Sequence, residues 1–274
     1  MLKLTIIVVL YEKSRLESKT LRTIINQKNI NRDEIHLTLN IYDNTATPQL
    51  DSHDISLFNS LFQKVNYHHD GFNYPLSNIY SKELKNTQSD YLLVLDDDTA
   101  LPEQYLSKFY TSYQKSEDGD EAVFVPKVVV NNKPFSPYHS WLFFSINASD
   151  RLAVLNLDVY AINSGVFLPV SLLRCFDYPS YTKFYGTDTV LFEYINHRKI
   201  KIIIMDVIVC HDLSFHPEAD LDRYVSSLLK VIVFWRAHYR KSFLKYLLLN
   251  VYTSYLIIKI FLKKHRFVNL FSVK

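Results

Sequence analysis

"YLLVLDDDTALP", residues 91–102, decides the fold: an apolar run of strand length ends in three consecutive carboxylates. A strand that is apolar at every position is covered on both faces, as in the parallel sheets of α/β proteins. Three adjacent negative charges repel one another, and the cluster lasts only where a divalent cation or solvent offsets that repulsion. Ligands of open, mostly parallel sheets bind outside the carboxyl ends of the strands. The stretch therefore reads either as a metal and nucleotide site at a strand end or as a solvated loop.

Outward from it, the chain alternates in an α/β manner. "LTIIVVLY" (4–11) is a second continuous β-branched run, and "SRLESKTLRTIINQ" (14–27) spaces Leu16, Leu21, Ile24 and Ile25 as a helix does, with Ser14 as its candidate N-cap. "IHLTLNIYDNT" (35–45) alternates like a strand and ends in the loop-formers Asp43 and Asn44. A helix or turn at "DISLFNSLFQ", a short strand at "KVNYHH" and a helix over "YPLSNIYSKELKNT", with Pro75 in its first turn, lead to the carboxylates. Beyond them "EAVFVPKVVV" reads as a strand that Pro126 assigns to an edge or a bend. "PFSPYHSWLFFS" and "LAVLNLDVYAINSGVFLP" suggest an antiparallel section, followed by a helix at "TDTVLFEYINHRK" and a strand at "IKIIIMDVIVCHD".

Composition bounds the reading. The chain has 274 residues, 48% hydrophobic and 15% aromatic with only 4 Gly, enough for one large α/β domain with an appendage and unlike a disordered chain. Two cysteines, Cys175 and Cys210, are too few for a disulfide framework and lack metal-ligand spacing. They suggest a reducing compartment. "MLKLTIIVVLYEK" lacks a small-residue cleavage site and meets Glu12, Lys13 and Arg15 at once, so it is expected to be a buried first strand rather than a leader. Asn147-Ala148-Ser149 matches a glycosylation sequon, a triplet common by chance, and the His68-His69 pair reads as surface; neither is assigned a role.

The net charge of +3 hides an asymmetry: residues 222–274 hold eleven Lys and Arg against the single acid Asp222, so the preceding body is acidic. We expect one α/β domain over 1–221, in two halves that meet at about residue 100, and a basic amphipathic helical extension over 222–274. Residues 246–262 are mostly apolar but contain Lys259, and "RAHYRK" and "KKHR" flank them. Such a segment fits a helix lying on an anionic membrane surface, so peripheral membrane contact is expected through residues 222–274, with packing on the body as the alternative. No motif supports a nucleic-acid partner.

Chemistry can be assigned from the residues first. Alternate residues of an extended loop point the same way, so Asp96 and Asp98 face one site while Asp97 points elsewhere. A hard cation takes one or two carboxylates and completes its shell with water and phosphate oxygens, which suits a nucleoside diphosphate.

The landmarks also occur in a recognisable order. "TIIVVLYEKSRLESKTLRTIINQ", "IYDNT", "LLVLDDDTALPEQYL", "NSGVFLP", "FYGTDTVLFEYI" and "IIMDVIVCHDLS" resemble, in turn, the opening strand and helix, the Asp-Asn turn, the Leu-Asp-x-Asp-Thr box, the acceptor-side Ser-Gly strand, the segment holding the base and the His-ending strand of the family 2 glycosyltransferases, most of all their rhamnosyltransferase-like branch. The resemblance spans about residues 4–215.

It implies a GT-A fold and an inverting, Mg2+- or Mn2+-dependent transfer from a nucleotide-sugar donor, with dTDP-rhamnose first. The acceptor would be a growing, lipid-linked glycan at the cytoplasmic face of the cell membrane, in polysaccharide biosynthesis. Asp43 would accept from the base beside Tyr11, and Asp96 would lie by the ribose, with Asp97 in the same donor-contacting set. Asp98 and His211 would hold the metal, and Asp188 would be the general base. The chain departs from the pattern at Glu12, where Asn is usual, at Val166, where a second Gly is usual, and at Thr187 before Asp188.

Blander roles stay open: Asp43 as a turn former, Asp188 as a helix N-terminal carboxylate, His211 as a strand cap. A sugar-phosphate nucleotidyltransferase would share sheet, metal and nucleotide, but "LYEKSRLES" lacks the Gly-rich loop expected there. A non-catalytic scaffold would have lost Asp98 or Asp188, and both are present.

Overall fold

Strand β1 (Leu2–Leu10) shows why the apolar runs need no alternation. Leu4, Ile6, Val8 and Leu10 enter one core cluster, while Ile7 and Val9 enter another on the opposite face of the sheet. The structure, a computed structural model, describes residues 1–117, 121–147, 158–211, 221–265 and 267–271. Residues 148–149 of the sequon, 152–157 of the expected antiparallel section and 212–214 after His211 lie outside the described residues.

The first half is built from β1, α1 (Lys19–Ile24), β2 (Ile35–Asp43), α2 (Ser52–Leu61), β3 (Lys64–His68), α3 (Leu76–Asn86), β4 (Tyr91–Asp96), the short β5 (Thr99–Ala100) and α4 (Tyr105–Lys115). The second contains β6 (Ala122–Val130), β7 (Lys133–Ser136), β8 (Tyr138–Trp141), β9 (Phe144–Asn147), β10 (Val159–Tyr160), β11 (Val166–Pro169), α5 (Val170–Leu173), α6 (Thr187–His197), β12 (Lys201–His211), α7 (Leu221–His238) and α8 (Phe243–Lys264).

The central sheet runs β3-β2-β1-β4-β11-β6-β12-β5, with β7 beside β6. Neighbours among β3, β2, β1 and β4 are parallel, β11 is antiparallel to β4 and β6, and β6 and β12 are parallel again. A small antiparallel sheet, β10-β8-β9, sits apart. Leu21, Ile24, Phe58 and Phe109 from α1, α2 and α4 cover one face; Ile79, Leu84, Leu173, Leu191 and Phe234 from α3, α5, α6 and α7 cover the other.

Two local expectations are corrected. Helix α1 starts at Lys19 with Ser18 as N-cap, its side chain accepting from the Leu21 N–H, and not at Ser14. Glu17 turns back to accept from the Ser14 N–H and hydroxyl, which closes a separate turn and leaves Leu16 exposed. Of the edge and the bend open to Pro126, the edge is excluded, because β6 pairs β11 on one side and β12 on the other. The missing N–H is tolerated because the β6–β12 register breaks there: Val125 pairs Ile204 and Lys127 pairs Ile208.

Candidate active site

Sheet order places the site. The chain leaves β1 toward β2 on one side and returns to β4 on the other, so the carboxyl ends of β1 and β4 flank the switch point where α/β sheets bind ligands. Leu10 pairs Asp43, and Val9 pairs Asp96, which brings both carboxylates to one edge.

The loop after β4 is held from below by the start of α1. The Ser18 hydroxyl donates to the Asp97 carbonyl at 2.8 Å, the Thr20 hydroxyl donates to the Asp96 carbonyl, and the Thr99 N–H donates to the Thr20 hydroxyl at 3.0 Å. Asp97 points toward the β1–α1 loop, accepting from the Tyr11 N–H at 3.0 Å and pairing with Lys13 at 2.5 Å. Its role in the structure is to tie that loop to the carboxylates, with Glu12 beside it in the left-handed region at φ 52°. Burial raises the Asp97 carboxyl, and Lys13 opposes the rise. The Tyr11 ring itself is exposed at the mouth of the site.

Asp98 is brought to His211 by strand pairing. β5 runs antiparallel to the end of β12, with His211 opposite Thr99, and His211 Nδ1 stands 3.3 Å from Asp98 Oδ1. Both atoms are buried and lack a hydrogen-bond partner among the described residues. With Asp96 they offer three ligand atoms within 4.8 Å of one another. Ligand atoms of one octahedral ion lie about 3 Å apart when each bond is about 2.1 Å, so these orphaned atoms fit a divalent cation. Burial pushes the Asp98 carboxyl up, against the pull of His211 and with the push of Asp96 and Asp97.

Asp188 lies in the first turn of α6, where its Oδ1 accepts from the Thr189 N–H at 2.8 Å. Packing overrides that bond: burial raises the carboxyl to about 6, with Asp96 adding to the rise. Three tyrosines close around it; burial raises Tyr80, Tyr138 and Tyr178 well above the ordinary phenol range, with the Asp188 charge adding to each. Tyr80 also feels Asp96, and its hydroxyl is buried without a hydrogen-bond partner among the described residues.

The segment between these carboxylates is "NSG". Asn163 donates to the Thr187 hydroxyl at 2.9 Å, and the Ser164 hydroxyl donates to Asp96 Oδ2. Gly165 has φ +92°, and a Cβ there would meet the Tyr105 hydroxyl oxygen at 2.8 Å, so only glycine fits. The sequence marked this segment for its Ser-Gly pair but did not single out Ser164. Lys13, Thr20 and Tyr80 carry no local signal at all.

Asp43 stands further along the same edge. It is buried and accepts from the Thr45 N–H at 3.2 Å, the Gln49 N–H at 2.8 Å and the Tyr67 hydroxyl at 2.5 Å. A carboxylate has about four acceptor positions, so one remains, on Oδ1. Beside it a cavity of about 540 Å3 is lined by Tyr42, Asn44, His68, Tyr74, Asn78 and Lys82. Its wall is rigid: Tyr42 stacks on His68 at 4.5 Å, and Glu83 accepts from Asn40 and Tyr42 behind it. A larger cavity of about 780 Å3, beside Leu2, Asp90 and Tyr91, opens at the amino ends of the strands, the wrong end for a nucleotide.

Known proteins give the same frame. The family model described as glycosyl transferase family 2 matches residues 5–172, more than half of the chain. Among solved structures, a crystal structure of GalNAc-T7 with UDP, GalNAc and Mn2+ superposes with a TM-score of 0.57 at 14% identity, over 82% of this chain and 47% of that one. That likeness shows the fold, which is of the GT-A type. The chain thus spans about half the length of that relative. A comparison with curated proteins returned no match.

Proposed function

The chain belongs to glycosyl transferase family 2, and on that footing we propose that it is an inverting, metal-dependent enzyme that moves a sugar from a nucleotide-sugar donor to a hydroxyl of a growing, lipid-linked cell-surface glycan. The observation that carries the reading is the meeting of Asp96, Asp98 and His211 at the end of β4, with Asp188 near enough to Asp96 to feel its charge.

The donor base enters the cavity beside Asp43, whose remaining acceptor position faces a base N–H, while the exposed Tyr11 ring flanks the entrance. Asp96, restrained by Ser164, lies by the ribose. Asp98 and His211 would hold the cation, and the imidazole would favour Mn2+ over Mg2+ as the softer acceptor. A bound cation offsets the charge that gathers on the leaving diphosphate. Asp188 takes the proton of the acceptor hydroxyl; that oxygen bonds to the anomeric carbon as the bond to the diphosphate breaks, and the configuration inverts. A base raised to about 6 accepts a proton more readily than an ordinary carboxylate while staying ionised at neutral pH.

The "LDDDT" and "TDTVLFEYI" boxes support dTDP-rhamnose as donor, and the cytoplasmic face of the cell membrane is where such a donor meets a lipid-linked acceptor. The test is nucleoside diphosphate release from a panel of nucleotide sugars, with Mn2+ and a lipid extract as acceptor source. One donor should respond, and Asp188→Asn should abolish the response. Full release by Asp188→Asn would remove the base assignment, and release from no donor by a folded protein would sink the reading.

A further inference from the structure

Helix α8 has two apolar faces, and among the described residues only one is covered. Leu249, Thr253, Leu256 and Ile260 follow at three- and four-residue steps and are buried, Leu249 at 1% exposure. Leu256 and Ile260 join Ile232 of α7 with Val268 and Leu270 in one cluster. About half a turn away, Leu244, Leu247, Val251, Tyr255, Ile258 and Leu262 form a second stripe at the same steps, exposed by 64, 47, 61, 53, 57 and 68%. Six large apolar side chains in a row facing water mark an interaction surface rather than scattered exposure.

Charge identifies the occupant. Lys245, Lys259 and Lys263 project along one flank between the two stripes, Arg240 and Lys241 precede the helix, and no Asp or Glu occurs after Asp222. Lys245 and Lys259 lie over the rings of Tyr239 and Tyr255, at 5.3 and 5.9 Å. Cations beside an apolar stripe complement anionic headgroups above acyl chains. The helix is long enough to cross a bilayer, but its inner stripe is committed to α7, and Lys259 lies within it rather than at an end. Lying in the interface buries the outer stripe and lets the lysines reach the headgroups.

We propose that the outer stripe of α8 is a docking face for an anionic lipid bilayer, with the helix in the plane of the interface and α7 as a strut to the catalytic centre. The expectation of membrane contact over all of 222–274 narrows to this face, since α7 is occupied. Phe234 rests on Gly186, where a Cβ would fall 2.1 Å from the ring, and His238 Nε2 meets Glu193 at 3.0 Å. Gly186 caps α6, whose second residue is Asp188, so the docking face is coupled to the catalytic carboxylate through one helix. The inference rests on the proposed function for what the membrane delivers, a lipid-linked acceptor, and not for the binding itself.

The test is cosedimentation of the full chain with vesicles of phosphatidylcholine, with and without phosphatidylglycerol, beside calorimetric titration with nucleoside diphosphate and Mn2+. Binding should require the anionic lipid and weaken with salt. Val251→Glu with Ile258→Glu should weaken it at least about tenfold, and Lys245→Gln, Lys259→Gln and Lys263→Gln together by on the order of 10²-fold, with nucleotide titration unchanged in both. Binding unaffected by the outer-stripe variant would overturn the proposal. So would a dimer in light scattering that this variant converts to monomer, or retention in membranes through an alkaline wash. Vesicle binding without nucleotide binding would leave the docking face standing and overturn the functional reading instead.

Discussion

Replacing Asp188 by Asn should make the protein more stable while abolishing transfer. Burial raises this carboxyl from 3.8 to about 6, and each factor of ten is worth about 1.4 kcal/mol. The fold therefore favours the neutral carboxyl: the stability it contributes is fully present below pH 3.8 and is lost as pH rises to about 6. At pH 7 the full penalty is about 3 kcal/mol, and partial solvent access reduces the expected gain in Asp188→Asn to about 1–3 kcal/mol. Asn keeps an oxygen for the Thr189 N–H, so that bond is not the difference. The assay is urea denaturation of the metal-free protein and variant at pH 4, 5.5 and 7. The two curves should lie close together at pH 4 and separate with rising pH in favour of the variant, while transfer at pH 7 falls by ~10² to 10⁴. A helix N-terminal carboxylate stabilised by the dipole would give the opposite, a loss of about 0.3–1 kcal/mol at pH 7, and that outcome would refute the reasoning.

Other perturbations probe the rest of the frame. Transfer by the wild-type enzyme should rise with pH through about 6 and then level, as Asp188 loses its proton; a pH–rate profile that is flat from 5 to 8 would contradict it. His211→Ala should weaken Mn2+ binding by on the order of 10- to 100-fold in a metal titration, while leaving Tm near that of the parent, because among the described residues the imidazole makes no hydrogen bond through Nδ1. Lys13→Met leaves the largely buried Asp97 without its cation and should cost about 1–2 kcal/mol in denaturant unfolding; an unchanged midpoint would mean that the Tyr11 N–H, Ser18 and Thr20 hold the loop without it. Gly165→Ala, strained at φ +92° and crowded by Tyr105, should lower stability by about 1–3 kcal/mol.

Most of the strand frame was legible because a sheet covered on both faces writes itself as continuous apolar runs; "LTIIVVLY" and "YLLVL" became β1 and β4. The order of motifs made the fold and family readable before any contact was known. Short-range signals were weaker. Ser14 and Ser18 are both good caps followed by apolar residues, and only the Glu17 turn and the contact of Ser18 with Asp97 decide between them. Pro126 left an edge and a bend both open because the irregularity that accommodates it lies in the partner strand, around Met205. The pairing of Asp98 with His211 follows from the register of Thr99 against His211, a contact across more than a hundred residues. Lys13, Ser164 and Tyr80 are ordinary residues in sequence and acquire meaning only from the carboxylates they face. Residues 246–262 read as one mostly apolar segment, and its division into a packed and an exposed face depends on α7.

The central claim is that the orphaned atoms of Asp98 and His211 hold a cation for a nucleoside diphosphate. Calorimetric titration of the folded protein with UDP, dTDP and GDP, with and without Mn2+, tests it most directly. One nucleotide should bind only when Mn2+ is present, and Asp98→Ala should remove that binding. Binding of none by a protein shown to be folded, or binding that neither Mn2+ nor Asp98→Ala alters, would contradict the account.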